Sequence, residues 1–580
     1  MLIGLDIETT GLSLKQACIV SIALAEDFVS ASKPSVAFYP NPSLPALRQL
    51  LQPGACVGWN TTFDLAWLMK LKAVQPSNAY TWHDARLAFR FAYPNAPGYG
   101  LGDVVDYLSG KPEAANEFAA YKNYKAETQH AIKDAAALYR DSPEAFRRRN
   151  ELDALLALKI YRHCSTRLNP ALKSLLGYYE ASILPMTQAY VDGISLDTSK
   201  LHALDAELDV VIKTALAELG ISDSKLARSR AWLTDKYKDE LHLLPLSEKS
   251  KLPSFSKKHI SKLNSLPLLK LRNALAMQDK FCKPYRNQQG IVTVHNQPLL
   301  YGTYTGRVTY SKGQDGIPLQ QWARPVRSAL SASDATNDYV WVEFDFAGQE
   351  MRIMASCAEA VRLYYTPSTA MANMCSLFNA EADLHTEMGS KLARMFLQFT
   401  PGELRFLGKQ LNLAAQYRMG ASTLVTRFLQ DGIVLTVEQA QALLNAYHAA
   451  YPEVRVYWNY ALQHTRATTM YGRWIDTGNE YSDEQTRINF PIQGTGADMK
   501  YICVAYMAAH YPQFRFLLDM HDGMHYRILK ADYSAELCLT AANEMAALFS
   551  NQRFHCPMPI EVKVGTNWGN LKTIKQETLK

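Results

Sequence analysis

The feature that most constrains this chain of 580 residues is a pair of apolar runs that each deliver a carboxylate at their end. The first is Tyr339–Arg352, Tyr-Val-Trp-Val-Glu-Phe-Asp-Phe-Ala-Gly-Gln-Glu-Met-Arg. Val340, Val342 and Phe344 alternate with Trp341 and Glu343 as in a strand, and the pattern turns helical through Glu350, Arg352 and Met354. Asp345 therefore stands at a strand tip. The second run, Phe514–Leu518, ends in Asp519-Met520-His521-Asp522-Gly523. A single strand-end Asp is most often a helix cap. Two of them on two rigid strands can clamp a pair of Mg²⁺ ions for phosphoryl transfer.

A chain of this length forms several domains. Its hydrophobic content of 48% and charged content of 20% are those of an ordinary globular protein. No run of apolar residues is long enough to span a membrane. The start, Met-Leu-Ile-Gly-Leu-Asp-Ile-Glu, carries acids where a secretory leader needs a basic and then an uncharged run. The nine cysteines include no Cys-x-x-Cys pair, so they read as reduced core residues of a cytoplasmic protein without structural zinc. The net charge is +6, yet Leu241–Gly290 alone holds ten Lys or Arg against Glu248 and Asp279. Such a segment is either a solvated helical face or a surface that tracks phosphates.

Three further patterns carry chemistry. Asp6 and Glu8 lie two apart in the strand-like run Leu2–Ile7 and beyond, hence on one face. Ala55–Leu65 reads as a strand, a turn and a helix carrying Asn60 and Asp64 four apart. In the helical stretch Glu403–Gly420, Arg405, Lys409, Leu413 and Tyr417 fall at successive steps of four, one stripe along the helix. Cations for phosphates and a ring for stacking suit a triphosphate-and-base surface, and a solvated helix with a core Tyr is the plainer alternative.

With that helix between them, Asp345 and Asp522 resemble the palm aspartates of family A DNA polymerases, the DNA polymerase I family. Ile488-Asn-Phe-Pro-Ile-Gln-Gly-Thr-Gly-Ala-Asp closely resembles that family's Asn-x-Pro-x-Gln-Gly-Thr-x-Ala-Asp segment, and Val564-Gly-Thr-Asn-Trp568-Gly its end. Asp6-x-Glu8-Thr9 followed by Asn60-x-x-x-Asp64 resembles the proofreading 3′–5′ exonucleases, whose four acids hold two metals. The resemblance implies an α/β (α+β) fold. An RNase H-like exonuclease domain would occupy 1–165, followed by a right-hand polymerase: linker helix and thumb over 166–290, first part of an antiparallel palm over 291–355, fingers over 356–499 and the rest of the palm over 500–580. With no added 5′-nuclease region, the chain is most like bacteriophage replicative enzymes.

The same resemblance assigns roles. Asp345 and Asp522 would hold two Mg²⁺, for which Mn²⁺ can substitute, and Asp6, Glu8, Asp64 and Asp153 would hold two more. Arg405 and Lys409 would grip the triphosphate of a deoxynucleotide, with Lys409 protonating the leaving pyrophosphate. Leu413 would face the sugar, Tyr417 would stack, Glu350 would crowd a 2′-hydroxyl, and His385 in Asp383-Leu-His385-Thr would lie near the triphosphate. Arg307 in Thr305-Gly306-Arg307, Gln320, Asn489, Gln493 and His521 would touch primer–template DNA, partly in the minor groove, whose degenerate pattern suits a sequence-blind reader. Lys257 and Lys258 would contact its phosphates. The expected partners are primer–template DNA and deoxynucleoside triphosphates, with a processivity factor and a helicase or primase beside a monomeric enzyme, in the host cytoplasm if the source is a virus.

Four departures stand out. Gly523 replaces the Glu of the family's His-Asp-Glu, Leu413 replaces an aromatic residue, and Arg418 replaces the Gly after the Tyr. Arg149 stands four residues before Asp153, where a Tyr is expected. Asp134 preceded by His130 has the tyrosine-type spacing but lies far upstream, so the fourth exonuclease acid is Asp153 or Asp134. Two rivals remain: a single-subunit RNA polymerase, which His-Asp without Glu would suit, and a quiet DNA-binding relative that does not extend primers.

Overall fold

The computed structural model describes residues 2–10, 14, 18–26, 35–51, 54–74, 80–124, 135–247, 250–260, 263, 265–311, 317–365, 373–394, 399–431, 433–478, 481–550 and 553–575. Two five-stranded sheets organise it. In the N-terminal sheet the order is Ser35–Pro40, Ile19–Glu26, Leu2–Thr9, Ala55–Gly58, Thr81–Asp84. The central strand, Leu2–Thr9, pairs antiparallel with Ile19–Glu26 and parallel with Ala55–Gly58.

The helix Pro143–Arg167 crosses this sheet. Pro143 at its start spends no hydrogen bond, because the first-turn N–H groups are unpaired anyway. Gly4 allows the close crossing, since a Cβ there would fall 2.3 Å from the Ala154 carbonyl oxygen. Asp153 is thereby set beside the strand of Asp6 and Glu8. It lies within the helix, which Pro143 opens well before it. The turn before Asp64 also differs from the expected helix. Asn60 precedes the Thr62–Lys70 helix in a left-handed conformation, at φ +62°.

Two helices, Pro170–Ala181 and Ile183–Asp192, then meet at Ser182 in place of a single linker helix, and Gly193 at φ +67° ends the second. Both pack into the continuous core that runs from the N-terminal sheet to the C-terminal one. The helices Thr198–Leu219 and Leu266–Met277 instead share a separate core with Ile212, Leu233, Leu268 and Leu271.

The C-terminal sheet is antiparallel throughout, in the order Arg515–Met520, Gly523–Leu529, Tyr339–Phe346, Ile560–Gly565, Lys572–Ile574. Val342, Phe344 and Phe346 of its central strand are buried, with Phe344 edge-on to Phe514 and Tyr526. Burying such side chains contributes roughly 1.5–3 kcal/mol each. Trp341 is buried on the opposite face, stacked on Trp568 and donating to His525 Nδ1 at 3.1 Å. On that face the alternation carries Glu343 and Asp345 beyond the tryptophan. The Ile488–Asp498 segment, which includes Pro491, lies inside the long helix Tyr481–His510.

Helices Leu384–Leu392 and Pro401–Ala415 lie against each other at two glycines. A Cβ at Gly408 would fall 2.2 Å from the His385 carbonyl oxygen, and one at Gly389 would fall 2.5 Å from that of Leu404. Thr400 and Glu403 form a reciprocal cap at the start of the second helix. Among the described residues no helix is long and apolar enough to cross a membrane.

Candidate active sites

The C-terminal cleft is built by the sheet on one side and the Pro401–Ala415 helix on the other. Strands Arg515–Met520 and Gly523–Leu529 form a tight hairpin whose two turn residues are His521, at φ +51°, and Asp522. Asp345 sits directly across from Gly523 in the register, so Asp522 lands beside it. The hairpin is pinned from below by Lys500, which donates to Asp519 Oδ1 at 2.7 Å and to the His521 carbonyl at 2.5 Å. Burial, reinforced by the charge of Glu350, pushes the Asp522 carboxyl up to about 6. No hydrogen bond satisfies that carboxylate among the described residues. An acid in this state, beside Asp345 and open to a cleft of about 950 Å³, fits a divalent cation. On its other side Asp345 Oδ2 accepts from Lys563 Nζ at 2.8 Å.

Arg405, Lys409 and Leu413 line the same cleft with Glu350, His385, His521 and Asp522. Asp383 caps the Leu384–Leu392 helix and pairs with Arg405 Nε at 2.6 Å. Burial, with Lys409 and Arg405 nearby, lowers His385 to about 4, so the ring is neutral at pH 7. The helix ends at Ala415, short of the expected stripe, so Tyr417 lies in the turn beyond it. Arg418 follows at φ +58°, a conformation that favours glycine, and its guanidinium pairs with Glu484 at 2.6 Å.

One triad escaped the sequence. Glu350 accepts from Arg307 at 2.5 Å on one oxygen and from the Tyr417 hydroxyl at 2.6 Å on the other. The sugar-gate, minor-groove and stacking candidates are thus one unit, and Gln493 also bonds Tyr417. Behind it, the buried Arg473 donates to Asp498 at 2.8 Å, to Tyr301 at 3.0 Å and to the carbonyls of Thr305 and Gly494 at 2.6 and 3.0 Å. This network fixes the Thr305-Gly306 turn that presents Arg307. Among the described residues Asn489 Oδ1 is buried without a hydrogen-bond partner. Gln320 donates to the Val308 carbonyl at 2.7 Å.

The N-terminal cluster is tighter. Among the described residues, Asp6, Glu8 and Asp153 form the one group of three acids whose ligand atoms all lie within 4.8 Å of one another. Asp64 is buried beside them but outside that group, and its Oδ1 accepts from the Ile7 N–H at 2.9 Å. Burial, with the other carboxylates adding to it, pushes Asp6 well up, and burial raises Asp64 too. Glu8 is pushed up to about 7 and Asp153 to about 6, burial dominating both. Arg149 offsets part of this, with Nε 3.7 Å from Glu8 and 3.6 Å from Asp153. A tyrosine does serve Asp153, but it is Tyr124, from far upstream, whose hydroxyl donates to Asp153 Oδ1. No periodic signal marks that residue in the sequence. The alternative pair His130 and Asp134 lies outside the described residues. Lys257 and Lys258 open the short helix Lys257–Ile260, and their side chains lie outside the described residues as well.

In the C-terminal cleft a sheet of antiparallel strands with acids at its tip thus faces a helix carrying Arg405 and Lys409. The sequence profile of DNA polymerase family A matches residues 199–570, well over half of the chain, and the chain belongs to that family. It is 24% identical over 460 residues to a thermostable DNA polymerase I of Thermus thermophilus, a match covering 72% of this chain and 51% of that protein. With a DNA polymerase I of Aquifex aeolicus it shares 23% identity over 517 residues, 86% of this chain and 83% of the relative. The chain spans about half the length of the Thermus relative. Among solved structures, the POL domain of Pol1 from M. smegmatis, in complex with DNA primer-template and dNTP, superposes with a TM-score of 0.71. Identity there is 18%, covering 98% of this chain and 95% of that one.

Proposed function

We propose that the chain is a template-directed DNA polymerase that adds deoxynucleotides to a primer 3′-hydroxyl, with a second, 3′–5′ exonuclease site. The observation that carries the polymerase reading is the cleft in which Asp345 and Asp522 share one wall region with Glu350 while Arg405, Lys409 and His385 line the other. Family membership supports it, as does the likeness to a polymerase domain solved with primer-template and dNTP.

Asp345 and Asp522 would hold divalent metal, Mg²⁺ or Mn²⁺, which supplies activation of the 3′-hydroxyl and charge neutralisation at the phosphates. Arg405 and Lys409 bind the triphosphate, and Lys409 gives a proton to the pyrophosphate as it leaves. Glu350 crowds the 2′ position of the sugar, and Tyr417 offers its ring to the templating base. Arg307, Gln320, Asn489, Gln493 and His521 hold the primer–template, Arg307, Asn489 and Gln493 by its minor groove, where hydrogen bonding is sequence-tolerant. Lys257 and Lys258 hold its phosphates. In the free protein Arg307 is tied to Glu350, so entry of DNA must redirect its guanidinium.

The exonuclease reading rests on Asp6, Glu8 and Asp153, with Asp64 behind them, an acid set suited to hydrolysing a phosphodiester at the primer end. A role in bacteriophage genome replication, with processivity, helicase or primase partners, belongs to the same proposal.

The test is extension of a labelled recessed primer with Mg²⁺, using deoxynucleotides in one arm and ribonucleotides in the other. Full-length product from deoxynucleotides alone is the expected result. Ribonucleotide product would move the chain to the RNA polymerase reading, and tight primer binding without extension in Mg²⁺ or Mn²⁺ would make it a DNA-binding relative.

A further inference from the structure

We infer that Glu343 is a positioning carboxylate of the polymerase site, replacing from a neighbouring strand the acid absent at Gly523 and holding Lys563 away from Asp345 when metal binds. The inference rests on the polymerase reading of Asp345 and Asp522.

The sheet register puts the participants on one face. Asp345 lies across from Gly523, and Glu343, two residues back on the same strand, lies across from Lys563. A Cβ built at Gly523 would meet Glu343 Oε1 at 3.3 Å and Asp345 Oδ1 at 3.5 Å. The carboxylate of Glu343 therefore already stands where a side chain from position 523 would begin. Two acids thus stand beside Gly523 although position 523 itself contributes no side chain.

Lys563 explains why an acid is needed there. Its ammonium is shared, 2.8 Å from Asp345 Oδ2 and 3.4 Å from Glu343 Oε1. A cation arriving at Asp345 must displace that ammonium, and a half-buried ammonium without a partner is costly. Glu343 is within reach and lets Lys563 step aside while staying paired. Without it, Lys563 has Asp345 as its remaining acid partner and competes with the metal for it. Groups that orient metal ligands in this way typically change metal affinity by about 10–100-fold.

The experiment titrates Mn²⁺ into the full chain bound to primer–template, read by electron paramagnetic resonance. All variants carry Asp6→Ala, so that the N-terminal acids contribute least to the signal. Glu343→Gln should weaken Mn²⁺ binding by about tenfold and raise the Mg²⁺ concentration for half-maximal extension similarly. Adding Lys563→Met to Glu343→Gln should restore the affinity, because the competing ammonium is gone. Gly523→Glu should restore it in a Glu343→Ala chain, the acid having returned by the other strand. An unchanged Mn²⁺ titration in Glu343→Gln would overturn the inference, as would a loss that neither second substitution recovers, which is the mark of a merely structural role. Asp345→Ala separates this from the underlying reading: loss of the Mn²⁺ signal there keeps the polymerase site whatever Glu343 does, and retention removes that site.

Discussion

The two acid clusters of this chain handle the same electrostatic problem in opposite ways. At the N-terminus three carboxylates converge within 4.8 Å and lean on one cation of their own, Arg149, at 3.6–3.7 Å. In the C-terminal cleft two acids sit at a sheet tip and the principal cations, Arg405 and Lys409, stand on a separate helix across an open cleft. Among the described residues the one basic group that pairs with Asp345, Lys563, has a second acid to go to. A cluster that carries its own cation is partly neutralised before any metal or substrate arrives. A cluster whose touching cation is shared with a second acid, as Lys563 is with Glu343, can release its carboxylate to what enters the gap.

Breaking the comparison at its strongest point, Asp522→Asn should lower primer extension on the order of 10³-fold while leaving primer shortening intact. Single-turnover extension measures it. Glu350→Ala releases Arg307 and Tyr417 together, and discrimination against ribonucleotides should fall by about tenfold or more. Competing deoxy- and ribonucleotide incorporation reads that loss.

The cleft was legible in the sequence because period-two alternation and a strand-tip acid are local signals. Asp345 lies near the end of its strand, Asp522 in the hairpin turn after Arg515–Met520 and Arg405 and Lys409 on one helix, and the 488–498 segment runs as continuous helix. What escaped was set by tertiary contact. Tyr124 reaches Asp153 from a different element, the Arg307–Glu350–Tyr417 triad joins three, and Arg473 with Asp498 is a buried pair that no spacing announces. A stripe of four residues continues smoothly through Tyr417 in the sequence. The chain leaves the helix at Ala415, and Arg418 turns left-handed two residues beyond Gln416.

Arg149→Ala sharpens the contrast by removing the built-in cation. Divalent metal should then bind the N-terminal acids about tenfold more tightly, while the metal-free protein loses stability from uncompensated buried charge. Calorimetric titration in an Asp345→Ala background checks the first part and thermal melting the second.

The pH dependence has a definite sign. Glu8 and Asp153 titrate in the folded chain near 7 and 6, above the ordinary carboxylate range. A raised folded pKa means that the native state holds protons the unfolded state has lost, so the contribution is full at low pH and disappears as pH rises through 6–7. The metal-free protein should melt lower at pH 8 than at pH 5 by about 2–4 °C from this source, and Mg²⁺ should recover more of the difference at pH 8. The smallest expected effect is Arg418→Gly. Relief of the left-handed backbone, roughly 1 kcal/mol, is offset by loss of the Glu484 pair, so the net shift in denaturant midpoint should be slight.

The most direct test follows one labelled recessed primer through Asp345→Ala and Asp6→Ala, with nucleotides present and then withheld. The account predicts a clean crossing: Asp345→Ala abolishes extension and still shortens the primer, whereas Asp6→Ala extends it and no longer shortens it. Extension that survives Asp345→Ala, or shortening that survives Asp6→Ala, would contradict the assignment of these two acid clusters to two reactions.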